Sequence, residues 1–260
     1  MSSGLKAAET SQSPLEDTRR LFAIDLALIA LSVRTGYLVD VVSLLDPVEI
    51  FSQLLCGLRS TCPEFENVVH VYEATSGQSF FVNKRLLLEH GGPSAYLHRT
   101  SFVQLHTGSP FNVLVDPPTA LERTLQSLID NGTTSQLTSI TLPSELTPEM
   151  AIPLAAVLLE YPVAYVPSSL SQSSFLSNVP LDVYECVLTF NGRQTVLPSK
   201  HTLLKFSCPS ELGKEHPDRL GNAHVTVSLK EKFKHRLQSS GIGASLEVLQ
   251  NCQTLDRVAL

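Results

Sequence analysis

The chain has 260 residues, of which 43% are hydrophobic and 17% charged, with a formal net charge of −6. That is globular composition, and the length suits one large domain or two small ones around a sizeable core. The acidic balance, with a pI near 5.7, excludes the broad basic footprint of a protein that grips nucleic acid through its phosphates.

Residues 1–14 are mostly small and polar and read as a disordered leader without the apolar core of a signal peptide. The most apolar segment, LFAIDLALIALSV at 21–33, is too short to span a bilayer and contains Asp25. The expectation is a soluble, intracellular protein, cytoplasmic or nuclear. Leu21, Ile24, Leu28 and Leu31 recur at helical spacing and predict a largely buried helix over 15–34, with Gly36 as its stop. YLVDVV then reads as a strand. Asp46-Pro47-Val48-Glu49 carries a helix start: an N-cap carboxylate, a proline at the first helical position and a glutamate able to reach back. That helix should run to about Leu58. VVHVYEA (68–74) and SFFV read as strands joined by the turn SGQ. NKRLLLEH begins a helix that Gly91-Gly92-Pro93 interrupts, and TSFVQL is a strand.

The alternation continues. FNVLV is a strand, TALERTLQSLID a helix closed by Asn131-Gly132, and SQLTSITL a strand. Thr147-Pro148-Glu149 opens the helix EMAIPLAAVLLE, where Pro153 should kink the helix or delay its start. YPVAYV is the next strand. Near-continuous apolar strands alternating with helices predict a mainly parallel sheet covered on both faces. The last hundred residues differ. PSSLSQSSFLSN (167–178) is a Ser-rich loop. VYECVLTF and QTVLPSKHTLLKF flank Asn191-Gly192, a strong hairpin signal. A helix over 225–238 and the extended run SLEVLQN follow. The expected fold is α/β: a mainly parallel central sheet, helices on both faces and an antiparallel C-terminal hairpin at its edge, with 15–260 as a single domain.

The chemistry in the sequence is sparse. The five cysteines, Cys56, Cys62, Cys186, Cys208 and Cys252, include no C-x-x-C pair and read as free thiols in a reducing compartment. There is no phosphate-loop motif, no G-x-G-x-x-G after a strand, no G-x-S-x-G elbow and no H-E-x-x-H. Gly241-Ile242-Gly243 reads as a helix cap. Asn131-Gly132-Thr133 matches a glycosylation acceptor but reads better as a turn. His90-Gly91-Gly92 resembles an oxyanion-hole loop without its nucleophile. His70, inside an apolar strand, reads as a structural imidazole, and His98 with His106 would form a metal pair only if they converged. KEKFKHR (230–236) reads as a solvated helix face, so nucleic acid is an unlikely partner; the sequence leaves cofactors and other partners unknown.

Carboxylates at strand ends are what remain. Ligands of open α/β sheets bind outside the carboxyl ends of the strands. YLVD ends at Asp40 and NVLVD at Asp116. Asp116 precedes Pro117-Pro118, and a residue before proline avoids helical backbone. Thr119-Ala120-Leu121-Glu122 fits the capping box better, which leaves Asp116 without a local duty. Asp40, within an apolar run, must be paired, protonated or at the rim of the sheet. Asp40 and Asp116 are therefore the candidate catalytic residues, as ligands of a divalent cation or as acid and base, with the Glu160-Tyr161 corner as a wall. The competing reading gives each carboxylate only loop amides or an arginine to hold.

GYLVDVVSLLDPVEIFSQLL, VVHVYEATSGQSFFVNKRLLLEH, FNVLVD, LLEYPVAY, LLKFSCPSEL and the terminal RVAL occur in that order. Together they resemble an uncharacterised eukaryotic protein family, represented in human by an open reading frame on chromosome 1. The likeness covers the chain from about residue 18 onward. The family has no established activity, so the resemblance implies no catalytic residues. It does imply aspartate at the positions of Asp40 and Asp116. The TSGQ turn and the Ser-rich loop depart from it, which argues against a shared site in either. The sequence is thus read as an α/β protein with a small-molecule or phosphate-ester site at the strand ends, or else as a non-catalytic protein-interaction module.

Overall fold

In the computed structural model, residues 14–42, 44–89, 91–105, 111–132, 137–142, 146–168, 176–191 and 198–256 are described. Residues 1–13 of the leader expected over 1–14, His90, His106, most of the Ser-rich loop and Gly192 of the hairpin signal lie outside them, while Pro14 already belongs to the first helix.

Helix α1 (Pro14–Ala30) ends not at Gly36 but at Ser32, whose φ of 58° is left-handed. There the Val33 N–H donates to the Leu28 carbonyl at 2.8 Å, the C-terminal closure that satisfies a helix's last carbonyls. Gly36 instead opens strand β1 (Gly36–Leu38), and a Cβ there would sit 2.3 Å from the Leu158 carbonyl oxygen, so close packing is what demands glycine. Asp25, the one acid in the apolar run, is buried against Arg34, with His201 Nε2 3.2 Å away. Helix α2 (Pro47–Thr61) starts as expected, with Asp46 accepting from the Glu49 N–H at 3.2 Å. The Glu49 side chain does not reach back; it accepts from Gln53 Nε2 at 2.6 Å.

Strands β2 (Val68–Glu73) and β3 (Gln78–Asn83) are joined by a tight turn. The Glu73 carboxylate accepts the N–H groups of Thr75 and Ser76, both at 2.7 Å. Short helices α3 (Lys84–Leu88) and α4 (Pro93–Leu97) follow, separated as expected at the two glycines. Then come β4 (Ser101–Leu105), β5 (Asn112–Val113), α5 (Thr119–Gly132), β6 (Ser139–Thr141), α6 (Pro148–Leu158) and β7 (Val163–Pro167). Pro153 lies inside α6 and does not delay its start.

The expectation of a mainly parallel central sheet is not met. The strands described form three sheets, ordered β1-β3-β2-β6, β5-β4-β7 and β10-β8-β9. Only β2–β6 and β4–β7 pair in parallel; the other pairs are antiparallel. Apolar runs report burial on both faces and do not report strand direction. The four-residue link between β2 and β3 permits only antiparallel pairing. Helices on both faces are found. Val69, Val71, Phe80 and Val82 pack with Leu121 and Leu125 of α5 and Leu154 of α6. The opposite face, with Val68 and Phe81, packs against Ile29 of α1 and Phe51 and Leu55 of α2.

The predicted hairpin is present as β8 (Pro180–Phe190) and β9 (Lys200–Pro209). It does not extend the first sheet. β8 is the centre of a separate antiparallel sheet, flanked by β9 and β10 (Ala244–Thr254). After β9 come α7 (Ser210–Glu215), α8 (Pro217–Leu220) and α9 (Asn222–Ser240), which Gly241 terminates with φ 71°. Val225, Leu229, Phe233 and Leu237 of α9 form one buried stripe in the core with Tyr184, Leu188 and Phe206. Among the described residues, no helix is long and apolar enough to cross a membrane.

Candidate functional site

The core stripe of α9 has a polar companion. His224, Ser228, Lys232 and Arg236 each stand one residue before a core position, and a 100° rotation sets them along one edge of the buried face. They form one wall of a pocket of about 710 Å³. Its other walls are His98 and Arg99 after α4, Ser101 at the start of β4, Pro162 before β7, and Arg219 of α8. The pocket lies at the amino ends of the parallel pair β4 and β7, not at the carboxyl ends where the sequence placed a site. The run KEKFKHR is therefore not one solvated face. Lys232, His235 and Arg236 turn to this pocket, Phe233 enters the core, and Lys230 and Lys234 line a different depression beside β10.

Beneath the cations sits Glu160. It is buried, and it occupies a left-handed φ of 59°, a conformation costing a non-glycine residue about 1–2 kcal/mol. Its partners over-determine that backbone. Arg236 grips the carboxylate with both terminal nitrogens, Nη1 to Oε2 at 2.6 Å and Nη2 to Oε1 at 2.9 Å. The Thr35 N–H donates to Oε2 at 3.1 Å, and Lys232 Nζ lies 3.8 Å from Oε1. Burial alone would raise the Glu160 carboxyl. The charges of Lys232 and Arg236 and the bonds from Arg236 and Thr35 outweigh it and hold the group far below the usual carboxylate range. Burial pulls Lys232 down, opposed by Glu160 but helped by Arg236 and Arg99. The same glutamate holds Arg236 up against burial. One carboxylate thus faces two cations from below, while Arg99 and Arg219 add positive charge to the walls. Glu89 and Glu231 offset part of it. On the wall, His224 Nε2 and Ser228 Oγ are 3.3 Å apart. What this set can do is desolvate and hold an anion with charge-assisted bonds from arginine, lysine and imidazole donors.

The candidates drawn from the sequence lie elsewhere. Asp40 is exposed, two residues beyond the end of β1. That exposure fits the reading that places it at the rim of the sheet. Burial and the Asp40 charge push the Tyr161 hydroxyl up against the pull of Arg34, so Asp40 is within electrostatic reach of the corner proposed as its wall. Asp116 is exposed after β5, a strand of only two residues in a different sheet. Thr119, expected as the cap, is instead the first residue of α5, and the Leu121 N–H donates to the Pro118 carbonyl at 2.9 Å. Neither aspartate lines the cationic pocket. Among the described residues no three His, Cys, Asp or Glu side chains are grouped to hold a metal ion. His70 lies in the hydrophobic interior: its Nδ1 is 2.7 Å from Ser139 Oγ, and its ring packs on those of Phe51 and Phe81. Lys232 and Arg236 were missed as site residues because their partner Glu160 is more than seventy positions away. The available signal was the polar stripe one step before each core residue of α9.

No curated protein matches this chain, and no solved structure does. A family model matches residues 7–260, and the chain belongs to that family, described as a domain of unknown function, DUF4504.

Proposed function

We propose that this protein binds an anionic small molecule, a phosphate ester or a carboxylate, in the pocket between α9 and the α4–β4 junction. The supporting observation is the convergence of Arg99, Arg219 and Lys232 with His98, His224 and His235 in one concave site of a chain whose net charge is −6. Cations gathered in a pocket of an acidic protein focus its field on one spot and raise the local concentration of an anion there. Arg236, already committed to Glu160, orients the floor. The free thiols of Cys186 and Cys208, both buried and pushed up to about 12 by burial, fit a reducing compartment such as the cytosol or nucleus.

Thermal shift and calorimetric titration with inorganic phosphate, pyrophosphate and glycerol phosphate test this reading, since a ligand of the native state raises its apparent stability. Wild type is expected to be stabilised. Lys232→Ala and Arg219→Ala are each expected to weaken binding by about tenfold, the loss of one charge-assisted bond. Asp116→Asn should bind as wild type does. No response to any of the three anions, or unchanged binding in both cation variants, overturns the proposal.

The rival reading, a non-catalytic interaction module, has one observation in its favour. Among the described strands β10 stands at the edge of its sheet, and its eleven residues carry one charged side chain, Glu247, and no proline, so two of the usual protections of an edge are missing from it. A concentration-dependent increase in mass that Leu249→Lys abolishes would favour it.

A further inference from the structure

The α9 wall of the cationic pocket is long. His224 and Lys232 both line it, and eight residues of helix set them about 12 Å apart along the axis. Each end has a second cation from another element. At the His224 end stands Arg219 of α8, which Gly221 joins directly to the start of α9. At the Lys232 end stands Arg99, near enough for its charge to press on the lysine, with His235 one turn further along α9. The carboxylates do not cancel this pattern. At the Lys232 end Arg99, Lys232 and Arg236 outnumber Glu160 and Glu231. Glu89 acts on Arg236 at that same end and has its own partner in Arg85, 3.9 Å away.

A phosphate takes charge-assisted bonds of about 2.7–2.9 Å, so a single phosphate cannot engage both ends. The rest of the lining is small and aliphatic. Ser101 and Ser228 bring hydroxyls, and Pro162, Val225 and Leu229 bring apolar surface. No Phe, Tyr or Trp is among the described residues of the lining. Bases are commonly held by stacking on such rings, so the pocket has no platform for one. We infer that its ligand is a non-aromatic bisphosphate: a hydroxylated carbon frame with two phosphates, one held by Arg219 and His224, the other by Lys232 and Arg99. The inference rests on the anion-binding proposal and narrows its ligand.

Calorimetric titration of the full chain compares glycerol phosphate, with one phosphate, against fructose 1,6-bisphosphate, with two on a hydroxylated frame. The bisphosphate is expected to bind about tenfold or more tighter, because its second phosphate engages the far end without a second association. Arg219→Ala and Lys232→Ala should each cut that advantage to about twofold or less, since either change disables one end. Arg219 is exposed, so its variant keeps the fold and carries the test even where Lys232→Ala unfolds. ATP should bind no more than about fivefold tighter than tripolyphosphate, for want of a ring on which its base could stack. Equal affinity of wild type for glycerol phosphate and the bisphosphate, or an advantage that survives in Arg219→Ala, overturns the inference and leaves the anion-binding proposal standing. A preference for ATP beyond that limit overturns it as well. Failure of every one of these anions to bind wild type overturns both.

Discussion

Asp116 and Glu160 are both carboxylates on the approach to a proline, yet they have opposite fates. Asp116 precedes Pro117 in an exposed loop after a two-residue strand. Glu160 stands two residues before Pro162, buried and bound to Arg236, with Lys232 close by and the Thr35 N–H donating to it. By local sequence alone Asp116 is the more suspicious of the two, because it has no capping duty. Glu160 sits at the end of a helix, where a turn residue would raise no question. A carboxylate's importance follows from the water it loses and the cations it gains, and neither is a property of its immediate neighbours.

The largest expected effect breaks or upholds this contrast directly. Glu160→Ala leaves the Arg236 guanidinium buried without its partner and should cost about 3–5 kcal/mol in urea unfolding. Glu160→Gly removes the same carboxylate but suits φ 59°, so it should cost about 1 kcal/mol less than alanine. If alanine and glycine both unfold like wild type, the buried pair is not what holds the α6–β7 corner.

A buried imidazole extends the comparison beyond carboxylates. Burial lowers His70 from 6.5 to about 4. As pH falls through 6.5 the unfolded chain takes up the proton first, so this stability is complete above that value and is lost as pH approaches 4. The loss should be about 3 kcal/mol in wild type and absent from His70→Gln. Glu160 acts in a lower window. Its folded pKa is depressed, so its contribution is present above the ordinary value of 4.5 and fades as pH falls below it. Of these two groups, urea midpoints at pH 7 and 4.5 report chiefly on His70. A wild-type midpoint independent of pH over that range would show that His70 is not held neutral by burial.

The smallest effect is expected where the sequence pointed most firmly. Asp40→Asn and Asp116→Asn are exposed changes and should alter stability by no more than about 0.5 kcal/mol. A loss of 2 kcal/mol or more from either (roughly the cost of a buried group) would restore it as a structural or functional partner.

Much of the architecture was legible because it depends on short-range chemistry. The start of α2 at Asp46-Pro47, the two short helices parted at Gly91-Gly92, the pairing of the segments on either side of Asn191-Gly192 and the Gly241 cap each follow from one or a few neighbouring residues. The errors have a common cause. Apolar strands reveal burial and are silent on direction, so β2 and β3 looked like members of a parallel sheet although a four-residue turn reverses the chain between them. The hairpin was read correctly, but its placement in a separate sheet depends on β10, which follows some thirty-five residues after β9.

Gly36 and α9 draw the boundary most clearly. Local patterning set the helices, the turns, the buried stripe of α9 and even the polar row beside it, because backbone dihedrals and hydrophobic periodicity act over a few residues. Why Gly36 admits no side chain was settled by the Leu158 carbonyl lying against it. Whether Lys232 and Arg236 faced water or a buried acid was settled when the corner before β7 packed under α9. Both are contacts between segments far apart in the chain. Desolvation and charge pairing exist only once those segments meet.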